Sequence, residues 1–432
     1  MDNDRARFFA DSEWTGGVIG LGYVGLPLAV TMIQRGLRAI GFDRSEARIE
    51  QLNAGSSPVE DVSDAELKEA LANGLEITAD PARLASADAV FICVPSPLGR
   101  NREPDLSYIE SAATTVAEIV HPGLLVSLES TTYPGTTEDI IVPAATGSGL
   151  TIDEDVFVAF SPERVSPGSV MKTGDIPKIV GGVSPRSTEV AAAAYGRVVA
   201  AVHPVSSART AEMAKLLENT YRAVNIGLVN EMAQLAHELG ISIWEVVDAA
   251  ATKPFGFQAF YPGPGVGGHC IPLDPQFLAW RAKEANFATR FIDLAEQVNT
   301  KMPLYTATRV SELLNQRGLP VFGTRILGVG IAYKPDVADD RESASIEVLR
   351  ELEARGADVA VLDPVIGEAR IASHGFAPVA ADDPLEGFGI AVLLTDHNDL
   401  DLAGIAAAVP VVLDTRGAYR RRGLALDNVF AL

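Results

Sequence analysis

The stretch YPGPGVGGHCIPLDP, residues 261–275, carries Cys270, one of two cysteines in a chain of 432 residues. Gly263, Gly265, Gly267 and Gly268 free the backbone for positive φ and close approach to a ligand. Pro262, Pro264, Pro272 and Pro275 deny the segment a helix interior or a central strand, so it is a shaped loop. A thiol displayed this way suits covalent redox catalysis. Its thiolate adds to an aldehyde, the thiohemiacetal gives up a hydride to become a thioester, and water releases an acid. Such a thiol needs a lowered pKa or a neighbouring base; Asp274, four residues on, is placed to orient a base or a water. The competing reading is a small buried hydrophobe, the usual state of a free cysteine. Cys93, inside VFICVP, fits that second reading and is assigned no chemistry.

A hydride needs an acceptor, and the N-terminal region supplies a place for one. VIGLGYVGLPLAV sets Gly20, Gly22 and Gly25 in G-x-G-x-x-G spacing around Tyr23 and Val24, after an apolar strand and at the opening of an apolar helix. The first glycine makes the turn, the second admits a pyrophosphate to the backbone, and the third lets helix pack on strand. The helix N-terminus then offers N–H groups to the phosphates. Asp43 ends the next strand in GFDR, 18 residues beyond Gly25. A carboxylate there accepts from ribose hydroxyls and repels a 2′-phosphate, which favours NAD over NADP, with Arg44 beside it pulling the other way.

A third cluster lies on AEMAKLLENTYRAVNIGLVNE. Met213, Leu217, Val224 and Leu228 form an apolar stripe at helical spacing, expected to face the core. Lys215 and Asn219, an i, i+4 pair, share the other face with Arg222. Either this is a solvated face, or the ammonium and amide stabilise a developing alkoxide beside the nicotinamide.

The elements that must position these groups alternate. GGVIGLG, RAIGFD, DAVFICVP, GLLVSLEST and DVFVAFSPE read as strands with room for crossover helices between them, which implies a parallel sheet covered on both faces. From about residue 205 the text is helical, and strands resume with TRILGVGIAY, ADVAVLDP, IAVLLTD and PVVLDTRG. The expected architecture is α/β: two Rossmann-like doubly wound domains joined by a central helical domain, over residues 1–204, 205–305 and 306–432.

Lys and Arg total 35 against 57 Asp and Glu, a net charge of −22. That balance argues against nucleic acid or an anionic membrane as partner, so an anionic ligand must be met by local donors. No apolar run approaches the ~18 residues of a membrane span. The N-terminus has no secretory pattern, and scarce cysteines suit a reducing compartment, so a cytoplasmic protein is expected. No cluster has metal-ligand spacing, and no metal is expected.

Seven stretches in order, GLGYVGLPLA, VPSP, ESTTYPGTT, SPER, KLLENTYRAVNIGLVNE, GPGVGGHCIPLDP and YKPDVADDRES, resemble the UDP-glucose/GDP-mannose dehydrogenase family over essentially the full length. The resemblance implies an NAD-dependent, four-electron oxidation of a sugar C6 hydroxyl to a carboxylate, consuming two NAD per sugar. It makes Cys270 the nucleophile, with Lys215, Asn219 and Asp274 holding alkoxide, oxyanion and hydrolytic water. It gives Glu163 general acid/base work, Thr131 the placing of that water beside the cofactor, and Pro95 of VPSP a place in the cofactor site. Glu163, Arg164, Tyr261, Gly265, Gly268, Lys334 and Arg341 join Lys215 and Asn219 around the nucleotide sugar, and a homodimer is expected through the helical middle. Taken singly, Glu163 and Arg164 would as readily pair with each other, and Arg341 with Asp339 or Asp340.

Within the family the UDP-glucose version commonly reads G-G-S-C-x-P-K-D, whereas this chain has His269 and Leu273 at the serine and lysine positions. GGHCIPLDP, ESTTYPGTTEDIIVP and SPERVSPG resemble the N-acetylhexosamine branch, which points to UDP-N-acetylglucosamine. UDP-glucose and UDP-N-acetylmannosamine are the alternatives. Loss of a lysine near the sugar relaxes a polar contact and leaves room for an acetamido group. His269 is expected to brace the loop rather than to act in proton transfer.

Overall fold

The computed structural model describes residues 5–59, 61–99, 101–164 and 171–432; residues 165–168 of SPERVSPG lie outside them. Contacts divide the chain into two compact units, Met1–Glu218 with Gln276–Phe287, and Asn219–Pro275 with Ala288–Leu432.

The first unit is built on eight strands, β1 (Thr15–Ile19), β2 (Arg38–Phe42), β3 (Leu75–Thr78), β4 (Ala89–Ile92), β5 (Leu125–Leu128), β6 (Phe157–Phe160), β7 (Lys178–Gly182) and β8 (Val202–Pro204). Their order is β3-β2-β1-β4-β5-β6-β7-β8, parallel except at β6/β7. Strand alternation sends Val18 and Phe91 into one core and Ile19, Val90 and Ile92 into another. Both faces are therefore apolar, which is why these strands read as continuous hydrophobic runs.

The second unit carries β9 (Arg325–Val329), β10 (Asp358–Leu362), β11 (Ala377–Pro378), β12 (Ile390–Leu393), β13 (Val412–Asp414) and β14 (Val429–Ala431), all parallel, in the order β11-β10-β9-β12-β13-β14. Renumbered within the unit this is 3-2-1-4-5-6, the same order as the first six strands of the other sheet and that of a dinucleotide-binding fold. The kinship extends to atoms. Gly20 and Gly330 both leave the first strand at positive φ, +94° and +82°. Asp43 Oδ2 accepts from Leu21 N–H at 3.0 Å, and Asp363 Oδ2 from Ile331 N–H at 2.7 Å.

The helical stretch comprises Ala208–Glu238, Ile243–Ala251, Asp274–Glu284 and Arg290–Asn315. One expectation is reversed here. Leu217 is 58% exposed, and Met213 and Leu228 are exposed with it, while Lys215 and Asn219 are buried at 7% and 6%. Most of the apolar stripe of the long helix faces outward, and the polar pair faces in because each member finds a hydrogen-bond partner, described next. Among the described residues no helix is long and apolar enough to cross a membrane.

Candidate active site

In the first unit the glycine loop has the geometry of a dinucleotide cradle. A β-carbon on Gly25 would lie 1.9 Å from the Gly20 carbonyl oxygen, so only glycine lets the helix Gly25–Gln34 start so close to β1. At Gly22 a β-carbon would meet only Arg48 Nη1, at 3.7 Å, so this position is open toward a ligand. The helix cap, Val24, provides no side-chain acceptor for the first N–H groups. These features fit a pyrophosphate. Asp43 stands at the carboxyl end of β2 with its oxygens on Leu21 and Ser45 N–H, and a carboxylate has lone pairs left for ribose hydroxyls. Arg44 is turned to Ser111 Oγ at 2.8 Å. Tyr23 and Pro95 are exposed, and Thr131 is half-buried beyond the end of β5.

Lys215 Nζ donates to the Glu163 carbonyl at 2.6 Å, which joins the long helix to the loop after β6. Arg164 turns its guanidinium to Glu218, 2.7 Å, and to the Pro177 carbonyl, while its backbone N–H donates to Glu163 Oε1 at 2.7 Å. A simple Glu163–Arg164 ion pair is thus not what forms. The loop after Thr131 is clamped from the same helix. Buried Glu212 accepts from Gly135 N–H at 2.6 Å, Thr137 N–H at 3.0 Å and Thr137 Oγ1 at 2.7 Å. Burial pushes its carboxyl up, against these donors. Glu212→Ala strands three donors and is expected to cost on the order of 3 kcal/mol or more, read from the urea unfolding midpoint.

The second unit holds the thiol loop. Asn219 Nδ2 donates to Asp274 Oδ2 at 2.5 Å, and both residues are buried. Asp274 opens the helix Asp274–Glu284, and its N–H donates to the Cys270 carbonyl at 2.9 Å, so the two residues are one backbone turn apart. Cys270 is half-buried. Burial pushes the Cys93 thiol well up, and Cys93 is closed off in the sheet core.

The glycines of the loop are contact positions. A β-carbon on Gly265 would lie 2.6 Å from Ala344 Cβ, one on Gly267 2.8 Å from the Glu342 carbonyl, and one on Gly268 3.0 Å from the Tyr333 ring. Gly265 and Gly268 also take φ of +145° and +85°. The thiol loop therefore lies directly on the segment 333–344 that contains Lys334 and Arg341. Arg341 pairs with Asp339 through Nε at 2.8 Å and Nη2 at 2.6 Å, one of the two pairings open to it from sequence. His269 stands 4.0 Å from Asp339, and burial and then Arg341 lower its pKa. Tyr261 stacks on Trp244 and donates to Asp248 at 2.8 Å.

Arg416 was not foreseen. It follows β13 in LDTRG, and its Nη1 would stand 2.7 Å from a β-carbon on Gly263. Burial lowers its pKa to about 10, which leaves it charged. A charged residue just past the carboxyl end of a strand in a doubly wound sheet was the available signal.

A doubly wound sheet with a dinucleotide cradle is the architecture of a nucleotide-cofactor enzyme. The sequence matches the UDP-glucose/GDP-mannose dehydrogenase family in three segments: the NAD binding domain over residues 16–199, the central domain over 209–301 and the UDP binding domain over 327–421. The chain belongs to this family of NAD-dependent nucleotide-sugar dehydrogenases. It is 36% identical to UDP-N-acetyl-D-glucosamine 6-dehydrogenase of Pseudomonas aeruginosa, covering 90% of this chain and 91% of that one. It is also 36% identical to NDP-N-acetyl-D-galactosaminuronic acid dehydrogenase of Ralstonia nicotianae, over 94% of this chain and 97% of the other. The solved structure of UDP-D-ManNAc dehydrogenase from Pyrococcus horikoshii superposes with a TM-score of 0.84 at 33% identity, over 94% and 96% of the two chains.

Proposed function

We propose that this enzyme oxidises the C6 hydroxyl of UDP-N-acetylglucosamine to the carboxylate in two steps through a thioester on Cys270, making a uronate precursor for surface polysaccharide. The observation that carries the reading is the buried Asn219–Asp274 pair one helical turn from Cys270, with Lys215 one turn before Asn219. When bound, NAD would supply the hydride acceptor, and two NAD molecules in succession would be reduced per sugar. Lys215, fixed by the Glu163 carbonyl, holds the alkoxide and then the oxyanion by charge, and Asn219 adds an amide donor. Cys270 attacks the aldehyde carbon, and its sulfur carries the acyl group once the second hydride has left. Asp274 and Thr131 place the water that cleaves the thioester, and Glu163 takes its proton. Gly20, Gly22, Tyr23, Val24, Gly25, Asp43, Arg44, Pro95 and Thr131 are read as the cofactor site. Glu163, Arg164, Tyr261, Gly265, Gly268, Lys334 and Arg341 are read as the sugar-nucleotide site with Lys215 and Asn219.

The same reading divides the chain into a cofactor part, 1–204, a pairing and catalytic part, 205–305, and a nucleotide-sugar part, 306–432. It makes the enzyme a cytoplasmic homodimer. The outward stripe of the long helix supports the pairing, since Leu228, Leu235 and Leu239 with Ile241 and Val246 border an apolar hollow of about 300 Å³. Contiguous exposed apolar surface of this kind marks an interaction site.

The acetamido sugar is supported by His269 and Leu273 beside the thiol, and by the N-acetylhexosamine in the names of all three relatives. UDP-N-acetylmannosamine is the second reading, favoured by the Pyrococcus structure. NADH yield from limiting UDP-N-acetylglucosamine, UDP-N-acetylmannosamine and UDP-glucose separates them. Two NADH per UDP-N-acetylglucosamine, with little from the others, is expected. One NADH per sugar would remove the thioester route in favour of a two-electron reaction at Lys215 and Asn219.

A further inference from the structure

The first unit buries an ion pair that the reaction above does not use. Lys178, on β7, ion-pairs with Glu129 at the end of β5, and its Nζ is 3.6 Å from Glu163 Oε2. The side chains of Lys178 and Glu129 are 4% and 0% exposed. Tyr195 donates its hydroxyl to Glu129 Oε1 at 2.7 Å and meets Ser127 Oγ at 2.8 Å, which fixes the far oxygen. The Lys178 ammonium also lies over the Tyr195 ring, 5.3 Å from its centre.

A buried ion pair contributes little net stability against apolar residues of similar volume. If stability were the only purpose, one carboxylate would suffice for one ammonium. Here the ammonium reaches two, and the second is the side chain read above as the proton acceptor. Glu129 and Tyr195 set the near side of Lys178, and its remaining charge is directed at the loop after β6. We infer that Lys178 is a positioning residue, held by Glu129 and Tyr195, that fixes and orients the Glu163 carboxylate for proton transfer. Burial works against charge on Lys178, and the Glu129 and Glu163 carboxylates outweigh it, so its pKa is raised and the ammonium persists.

The inference rests on the reading of Glu163, and its test keeps the two apart. Lys178→Met alone strands Glu129 and risks misfolding, so the informative variant is Glu129→Met combined with Lys178→Met. There Tyr195 keeps Ser127 as partner, and an apolar pair replaces the ionic one. This double variant is expected to melt within a few degrees of the parent. Its kcat for uronate formation falls roughly tenfold or more, while KM for the nucleotide sugar moves less than about threefold. Added to Glu163→Gln, the same pair of changes should cost little further, because residues acting through one another are not additive. A folded double variant with parental kcat overturns the role of Lys178. Losses that multiply on the Glu163→Gln background also overturn it, since Lys178 would then act elsewhere. Parental kcat in Glu163→Gln alone instead removes the reading of Glu163 on which the inference stands.

Discussion

Cys270→Ala is expected to abolish uronate formation, lowering its rate by on the order of a thousandfold or more, because no other group supplies a sulfur for the acyl intermediate. Its effect on NAD affinity should be less than about twofold. The thiol loop and the glycine cradle belong to different compact units, and removing one half-buried sulfur leaves the cradle's packing untouched. Stability should change by less than about 1 kcal/mol, because the substitution removes only one half-buried sulfur and opens no large cavity. Rapid-quench analysis of products, together with NAD titration by fluorescence, checks both halves. A chemical version is available in the unaltered enzyme. Cys93 is buried with its thiol pushed well up, so it stays protonated and out of reach, and alkylation should mark Cys270 alone. Unimpaired acid formation after full alkylation would rule out the covalent route.

The second large effect distinguishes two glycines three residues apart, one in the turn and one at the start of the helix. Gly25→Ala drives a β-carbon to within 1.9 Å of the Gly20 carbonyl oxygen and 2.9 Å of Val18 Cγ1. The carbonyl cannot yield, because Gly20 is already committed to positive φ against the Cys93 backbone, where its own β-carbon would lie 2.8 Å from an oxygen. The helix must move off β1, costing about 3 kcal/mol as an overpacked core does, and NAD affinity should fall by roughly a hundredfold or more. Gly22→Ala has no such clash, with its nearest neighbour 3.7 Å away. That variant should melt like the parent and still lose most of its NAD affinity, because the β-carbon occupies the space through which a pyrophosphate approaches. Calorimetric melting and NAD titration on the two variants give the comparison. Tight NAD binding by Gly22→Ala would mean that the pyrophosphate does not sit where the loop suggests.

Local features were legible wherever the physics is local. The glycine spacing, the alternating strands and the Gly/Pro loop around Cys270 each follow from backbone permissiveness or period-2 burial, and they appear where the sequence put them. Short edge strands escaped notice: β11 has two residues, β8 reads Val-His-Pro, and β3 alternates with half-exposed Glu76 and Thr78. Such strands exist because a neighbour offers them hydrogen bonds, which a single segment does not record.

The long helix was readable in extent but not in orientation. Its apolar stripe suggested an inward face, yet Lys215 and Asn219 turned in. The deciding terms are a carbonyl 52 residues away at Glu163 and a carboxylate 55 residues away at Asp274. The packing of the thiol loop against residues 333–344, the approach of Arg416 to Gly263, and the Lys178–Glu129 pair reaching Glu163 are of the same kind. The sequence by itself determined the architecture, the cofactor cradle and the candidate nucleophile, because turn chemistry and hydrophobic period are properties of adjacent residues. Only the tertiary structure decided which charges are buried and what satisfies them, because the cost of burying a polar group is set by partners distant along the chain.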